Sequence, residues 1–266
     1  MTRLLPSYTI AVDLGQVNDS TAIVVAERMG VPTGRIDLVP NAASYFDGNE
    51  HLPRTIAWPE TLGSYDLIHL QRLPLGTPYT ALPETLRAIE HQLRQRWCDL
   101  ALQRHQVSAS MTDAPVELIV DQTGVGRPVV DLLRQAGFDP IAITITGGDQ
   151  VIPVERREFR VPKRNLVGAV QVLLQTRRLR WASSLPEAAT LKQELDNFKA
   201  KISLAGHDNY GAGEDWREGN HDDLVLSTAL GCWYGEFEAG EAERRRVYVS
   251  SYPGPSDGDE GDRRWM

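Results

Sequence analysis

Four β-favouring residues, with one Ala among them, run into a carboxylate in Tyr8-Thr-Ile-Ala-Val-Asp13-Leu-Gly15. An unbroken apolar run of this length reads as a strand covered on both faces, the kind found at the centre of a sheet. Aspartate is a poor strand residue and costly to bury alone. A central strand that ends on one therefore points to a purpose, most simply a metal or a phosphate-bearing ligand. The sequel, Gln16-Val-Asn-Asp19-Ser20-Thr-Ala-Ile-Val-Val25, reads as a tight Asn-Asp turn and a second strand, so the pair predicts a hairpin. Two other stretches offer partners for Asp13. Val116-Glu-Leu-Ile-Val-Asp121-Gln-Thr-Gly124 is another apolar strand ending on Asp, and Asn220-His221-Asp222-Asp223-Leu-Val-Leu is an acidic cluster opening an apolar helix.

The spacing of apolar residues sets the order of elements between these points. Gly34 to Pro40 extends the second strand, Asn41 to Ser64 has no clear period and reads as an inserted loop, and Tyr65 to Leu73 alternates as a third strand. Thr80 can N-cap a helix in which Leu82, Leu86, Ile89, Leu93, Trp97 and Leu100 recur at helical spacing to about Arg104. After the strand Val116 to Val120 come a short helix, Pro128 to Ala136, and a fifth strand, Ile141 to Ile145, reached by a right-handed crossover that makes the last two strands parallel. Pro153 and Pro162 bracket a basic loop that leads into helices at Arg164 to Thr176 and Leu185 to Ile202. His207 to Gly219 is Gly-rich and polar, and the last helix is expected from Asp222 to Phe237. The expected organisation is one domain over residues 1–237, with 41–64 inserted, and a flexible charged tail over 238–266. The result is an α/β chain with a mixed five-stranded sheet, three antiparallel strands and then two parallel ones.

Composition narrows the partners. A formal net charge of -8 argues against a general nucleic-acid coat protein. Between Glu155 and Arg180, however, eight basic residues stand against two acidic ones, and Arg156, Arg157, Arg160, Lys163 and Arg164 are the candidate polyanion contacts. No run reaches the roughly 18 apolar residues of a membrane span, so no membrane partner is expected. Cys98 and Cys232 lie far apart, each inside an expected helix, which indicates neither a disulfide framework nor a zinc site and fits a reducing setting.

If the first and fourth strands lie side by side, Asp13 and Asp121 face each other and the start of the last helix can bring Asp222 and Asp223 against them. Like charges that close repel unless a cation neutralises them, and oxygen-only ligands favour Mg²⁺ or Mn²⁺ over zinc. Two such ions about 3.5–4 Å apart activate a water and stabilise the leaving oxygen of an in-line phosphoryl displacement. Each residue also has a structural reading. Asp13 can cap the hairpin turn, Asp121 can serve a helix N-terminus, and Asp222 is the natural N-cap of the last helix, which leaves Asp223 slightly the better ligand. His221 reads as a loop residue, and Lys163 either holds a phosphate or is a surface lysine. Thr123-Gly-Val-Gly126 serves the tight turn and close helix approach.

The order of elements, with acids on the first strand, the fourth strand and the last helix, resembles the ribonuclease H-like fold. The wording Val-Asp13-Leu-Gly with Asp19-Ser-Thr-Ala, Val-Asp121-Gln-Thr-Gly-Val-Gly-Arg-Pro-Val-Val-Asp-Leu-Leu133, Val161-Pro-Lys-Arg-Asn-Leu-Val167 and His221-Asp-Asp-Leu-Val-Leu226 is similar to the nuclease domain of tailed-phage terminase large subunits. The resemblance covers roughly Tyr8 to Phe237. It implies a two-metal-ion endonuclease that cuts double-stranded DNA during viral genome packaging in a bacterial cytoplasm, with Asp13, Asp121 and one or both of Asp222 and Asp223 as the metal-binding acids and Mg²⁺ or Mn²⁺ as cofactor. Such a subunit also carries a packaging ATPase, and no Gly-Lys-Ser/Thr phosphate loop occurs in this sequence. A separate packaging ATPase, a small terminase subunit or a portal are the partners expected to complete it. Alternatives are a Holliday-junction resolvase, an actin-like ATPase using Asp13-Leu-Gly and Asp121-Gln-Thr-Gly-Val-Gly126 as phosphate loops, and a catalytically inactive DNA-binding prophage remnant.

Overall fold

The computed structural model describes residues 5–15, 19–40, 55–105, 108–124, 126–204 and 222–251, and the side chains of these except 37–40, 55–59, 105, 198–204 and 242–251. The chain divides into one compact unit built on Met1–Val31 and Gly63–Glu236 and a second built on Pro32–Leu62 and Phe237–Met266. In the second unit, the Thr33 hydroxyl donates to the Glu60 carboxylate at 2.6 Å. Everything that bears on the candidate site lies in the first.

Strand β1 (Ser7–Asp13) is buried from Tyr8 to Val12, as its unbroken apolar run requires. It pairs antiparallel with β2 (Ala22–Pro40), Asp13 opposite Ala22, and parallel with β4 (Val116–Asp121), Val12 opposite Val120. Strand β3 (Thr55–Arg72) lies on the far side of β2. The Leu73 amide donates to the Thr21 carbonyl and the Arg28 Nε to the Tyr65 hydroxyl, so the two strands run in opposite directions. Strand β5 (Ile141–Thr146) is parallel to β4, and the sheet continues through β7 (Glu158–Pro162), parallel to β5, to the edge strand β6 (Ile152–Glu155). A three-residue strand, β8 (Leu179–Trp181), adds in parallel to β3. The order is β6-β7-β5-β4-β1-β2-β3-β8.

The two faces of β1 meet different helices because side chains alternate along a strand. Tyr8, Ile10 and Val12 share a core with Leu82, Leu86, Ile89, Leu93 and Trp97 of α1 (Leu82–His105) and Val129, Val130 and Leu133 of α2 (Gly126–Gln135). Thr9 and Ala11 point the other way, onto α5 (Asp223–Ser251), where a Cβ on Gly231 would stand 3.0 Å from the Thr9 Oγ1 and 3.3 Å from the Ala11 Cβ. Helices α3 (Lys163–Gln175) and α4 (Ala188–Leu204) complete the described elements. No described helix is long and apolar enough to cross a membrane.

The expected five strands are present in the order 3-2-1-4-5 and in the expected directions, and the fold is ribonuclease H-like. Several boundaries differ. Residues 55–64, expected in the inserted loop, belong to β3, and 41–54 lie outside the described residues. Thr80 sits in a 3₁₀ turn, Tyr79–Ala81, rather than at the cap of α1. The basic loop is the β6–β7 hairpin, turning at Arg156 and at Arg157, whose φ of 74° suits a tight turn. Its prolines fit because β6 is an edge strand and Pro162 ends β7. The last helix passes Phe237 and continues to Ser251, and residues 252–266 lie outside the description.

Candidate active site

The register of β1 and β4 decides where two of the acids stand. Val12 is opposite Val120 in a parallel pair, so the next residues, Asp13 and Asp121, are neighbours at the carboxyl ends of adjacent strands. In a parallel ladder paired residues project to the same face, and Asp13 continues the row Thr9, Ala11 that α5 covers.

Helix α5 reaches that row through every fourth residue. Gly235 lies against the Tyr65 ring, where a Cβ would stand 2.6 Å from the hydroxyl oxygen. Gly231 lies against Thr9 and Ala11, and one turn earlier the Ser227 hydroxyl accepts from the Asp13 amide at 3.2 Å and donates to the Ala22 carbonyl at 3.2 Å or the Asp223 carbonyl at 2.9 Å. Residues four apart share a helix face. One further turn places Asp223 just beyond the end of β1, with Asp222 beside it. Asp222 holds the N-cap position, its carbonyl accepting the Leu226 amide at 2.9 Å. His221 lies outside the described residues.

The carboxylates are held in place by neighbours. Asp121, 3% exposed, accepts on Oδ1 from the Thr123 amide at 2.8 Å and from the Thr123 hydroxyl, which itself accepts the Ile145 amide at 2.8 Å. This is an Asx turn that ties the end of β4 to β5. Gly126 allows α2 to start immediately after it, since a Cβ there would stand 2.7 Å from the Asp121 carbonyl oxygen. Asp223, 7% exposed, meets the Arg72 Nη2 at 3.2 Å through Oδ2. In the loop after Asp13, the Gly15 carbonyl accepts the hydroxyl of Tyr79, from the 3₁₀ turn before α1, and the Gly15 amide donates to the Thr21 hydroxyl at 3.1 Å, which fixes both described ends of that loop.

Glu194 of α4 is the residue of this region that the sequence did not mark. Its Oε2 accepts the Leu224 and Val225 amides at 3.0 and 3.1 Å, so a glutamate from another helix caps the first turn of α5. Burial pushes its carboxyl up to about 7, with the Asp223 charge adding to the rise and the two amides and Arg72 opposing it. Arg72 and Ser227 likewise gain their roles only from tertiary placement, whereas Thr123 acts locally, within the turn that the sequence marks. The one signal in the sequence is the spacing Asp223, Ser227, Gly231, Gly235, a stripe that marks the sheet-facing side of the helix.

Among the described residues no three acid, histidine or cysteine side chains close into a metal-ligating group, Asp121 being turned to Thr123 and Asp223 to Arg72. The chemistry of the donors nevertheless fits a hard cation. All the acids gathered at the ends of β1, β4 and α5 offer oxygen only, and Asp121 and Asp223 are buried, where carboxylates need neutralising.

The candidate DNA contacts are distributed around the β6–β7 hairpin. Arg157 is mostly buried and pairs with Glu117 and Asp139, Arg156 pairs with Asp139 at 3.0 Å, and Arg164 pairs with Asp149 at 2.7 Å. Arg160 is exposed on β7 and makes no ion pair among the described residues. Lys163 opens α3 directly after β7. Because β7, β5, β4 and β1 are mutually parallel, Lys163 lies at the same end of the sheet as Asp13 and Asp121.

A mixed sheet of this order, crossed on one face by the last helix, defines a ribonuclease H-like fold, and Asp13 and Asp121 end two of its adjacent strands. No family model and no curated protein matches the chain. Among solved structures it is similar to the large terminase nuclease from the thermophilic phage G20c, with 15% identity, 87% of each chain covered and a TM-score of 0.39. It is also similar to the human cytomegalovirus terminase nuclease domain soaked with Mn, at 10% identity, 85% of this chain and 82% of that one, TM-score 0.40, and to the same domain with an inhibitor bound, at 9% identity, 91% and 88%, TM-score 0.40. The fold rests on strand order and register rather than on these scores.

Proposed function

We propose that the protein is a divalent-metal-dependent endonuclease that hydrolyses phosphodiester bonds of double-stranded DNA, as terminase nucleases do when viral genomes are packaged. The observation that carries the reading is the placement of Asp13 and Asp121 on adjacent parallel strands with the Asp222–Asp223 end of α5 brought to them through Ser227. Asp13, Asp121, Asp223 and Asp222 would hold one or two Mg²⁺ or Mn²⁺ ions, which when bound supply an activated water and charge stabilisation for the leaving oxygen. The chain's own part is to hold those carboxylates. Thr123 fixes the Asp121 rotamer and Ser227 locks α5 to the end of β1. Lys163, with Arg160 two residues before the end of β7, supplies positive charge to a DNA backbone crossing the carboxyl ends of β7 and β5, whereas Arg156 and Arg157 stand at the opposite end of β7.

The Asp13→Asn variant tests this reading because it preserves shape and removes charge. It is expected to abolish nicking of plasmid DNA in Mg²⁺ or Mn²⁺ while DNA binding persists, and to melt in chelator no lower than the wild type, since it relieves repulsion among crowded carboxylates. An Asp serving only to cap a turn would instead lose about 1 kcal/mol on substitution. A variant that is less stable yet still nicks DNA would show that the reaction centre lies elsewhere.

A further inference from the structure

Two buried polar atoms beside Asp223 lack partners, and they are complementary. Arg72 ends β3 and meets Asp223 through a single nitrogen, Nη2, while its Nε is buried with no acceptor among the described residues. Glu194, 5% exposed, uses Oε2 on the amides of Leu224 and Val225, while its Oε1 is buried with no donor. A donor and an acceptor are thus both left unsatisfied around the same turn of α5. Each costs free energy as it stands. The three groups converge on the first turn of α5, Arg72 holding Asp223 and Glu194 holding the amides of the two residues that follow Asp223.

A cation taken up by Asp223 competes with Arg72 for the same oxygens. A guanidinium displaced from Asp223 gains from a second carboxylate, because the Arg72 side chain is only 21% exposed and its Nε is buried. We propose that Arg72 is a positioning residue that exchanges carboxylates, holding Asp223 while that acid carries no metal ion and moving onto the Oε1 of Glu194 when it does. The inference rests on the metal-dependent nuclease reading and adds to it a built-in counter-ion for one ligand, with a second acid to receive that counter-ion. Glu194 is anchored through its other oxygen to the residues next to Asp223, so the exchange moves one arginine side chain and leaves α5 where it is.

Calorimetric titration of the full chain with Mn²⁺, on the wild type, Arg72→Met, Glu194→Gln and the double variant, tests the exchange. Glutamine still accepts the two amides and removes the charge that receives Arg72. Glu194→Gln is expected to weaken Mn²⁺ binding roughly fivefold or more when Arg72 is present and to have little effect in the Arg72→Met background, as coupled sites do. Arg72→Met alone is expected to bind Mn²⁺ no more weakly than the wild type. Equal weakening by Glu194→Gln in both backgrounds would overturn the proposal, because Glu194 would then act only as a cap of α5. If Arg72→Met fails to fold, a crystal of the wild type soaked in Mn²⁺ decides, the guanidinium standing about 3 Å from Glu194 if the exchange occurs and still on Asp223 if it does not. Wild-type protein that binds Mn²⁺ and nicks DNA while the cycle is additive would remove the exchange alone. Wild-type protein that binds no Mn²⁺ would remove the nuclease reading with it.

Discussion

Glu194 gives the metal-free protein a measurable pH dependence. Its carboxyl is pushed up to about 7, mainly by burial, so the folded chain binds that proton more tightly than the unfolded one. The stabilisation is complete below the ordinary carboxylate range and is lost as the pH rises through about 7. Urea unfolding in chelator should therefore show a wild type that weakens between about pH 5 and pH 8 relative to Glu194→Gln, by at most about 3 kcal/mol. Parallel profiles for the two proteins would mean that the carboxyl is not desolvated as the structure places it. At this scale the sequence marks some residues and hides others. Asp13 and Asp121 stand out because a charge at the end of an apolar strand violates the local pattern. Arg72 and Glu194 violate nothing, an arginine closing a strand and a glutamate within a helix being ordinary, and only the packing of α4 and β3 around α5 reveals them.

Helix α5 is the element on which the site depends most, and its small residues set how near it comes to the sheet. A Cβ on Gly235 would stand 2.6 Å from the Tyr65 hydroxyl oxygen, which is itself held by Arg28 at 3.1 Å and Glu236 at 2.9 Å, so neither side can give way cheaply. At Gly231 the nearest atom is the Thr9 Oγ1 at 3.0 Å. Gly235→Ala should destabilise by roughly 1–3 kcal/mol in a denaturant titration, more than Gly231→Ala does, through overpacking of the helix–sheet contact. Equal, small effects would place α5 farther from the sheet than described. Elements whose apolar residues keep a clear period, such as β1, β4, β5 and α1, were legible in the sequence. The β6–β7 hairpin was obscured by two prolines and a run of arginines, residues tolerated there because one strand is an edge. Strand β8 has only three residues, too few to show any period.

Across the molecule, the basic surface is smaller than the charge along the chain suggests. Much of the run between Glu155 and Arg180 meets acids from elsewhere, Arg157 with Glu117, Arg178 with Glu236 and Arg180 with Asp66. These partners are distant in sequence, so local composition could not show them. Arg160→Ala combined with Lys163→Ala should weaken binding to all DNA sequences alike and reduce the salt slope by about two ions' worth, since phosphate contacts release counterions and read no bases. Arg157→Ala should instead lower the melting temperature with little change in that slope. An unchanged slope in the first variant would place the DNA groove on another surface.

The hydrogen bond between the Asp13 amide and Ser227 joins residues 214 positions apart. Contacts of that span form late, because the loop must close before they reward it. The acids of the site are therefore scattered until β4 has docked beside β1 and the start of α5 has been synthesised and laid across both. A nascent chain, or one unfolded locally at the β1–β4 seam, has no assembled carboxylate cluster, and on the nuclease reading the ability to cut DNA is withheld until the long-range topology is complete.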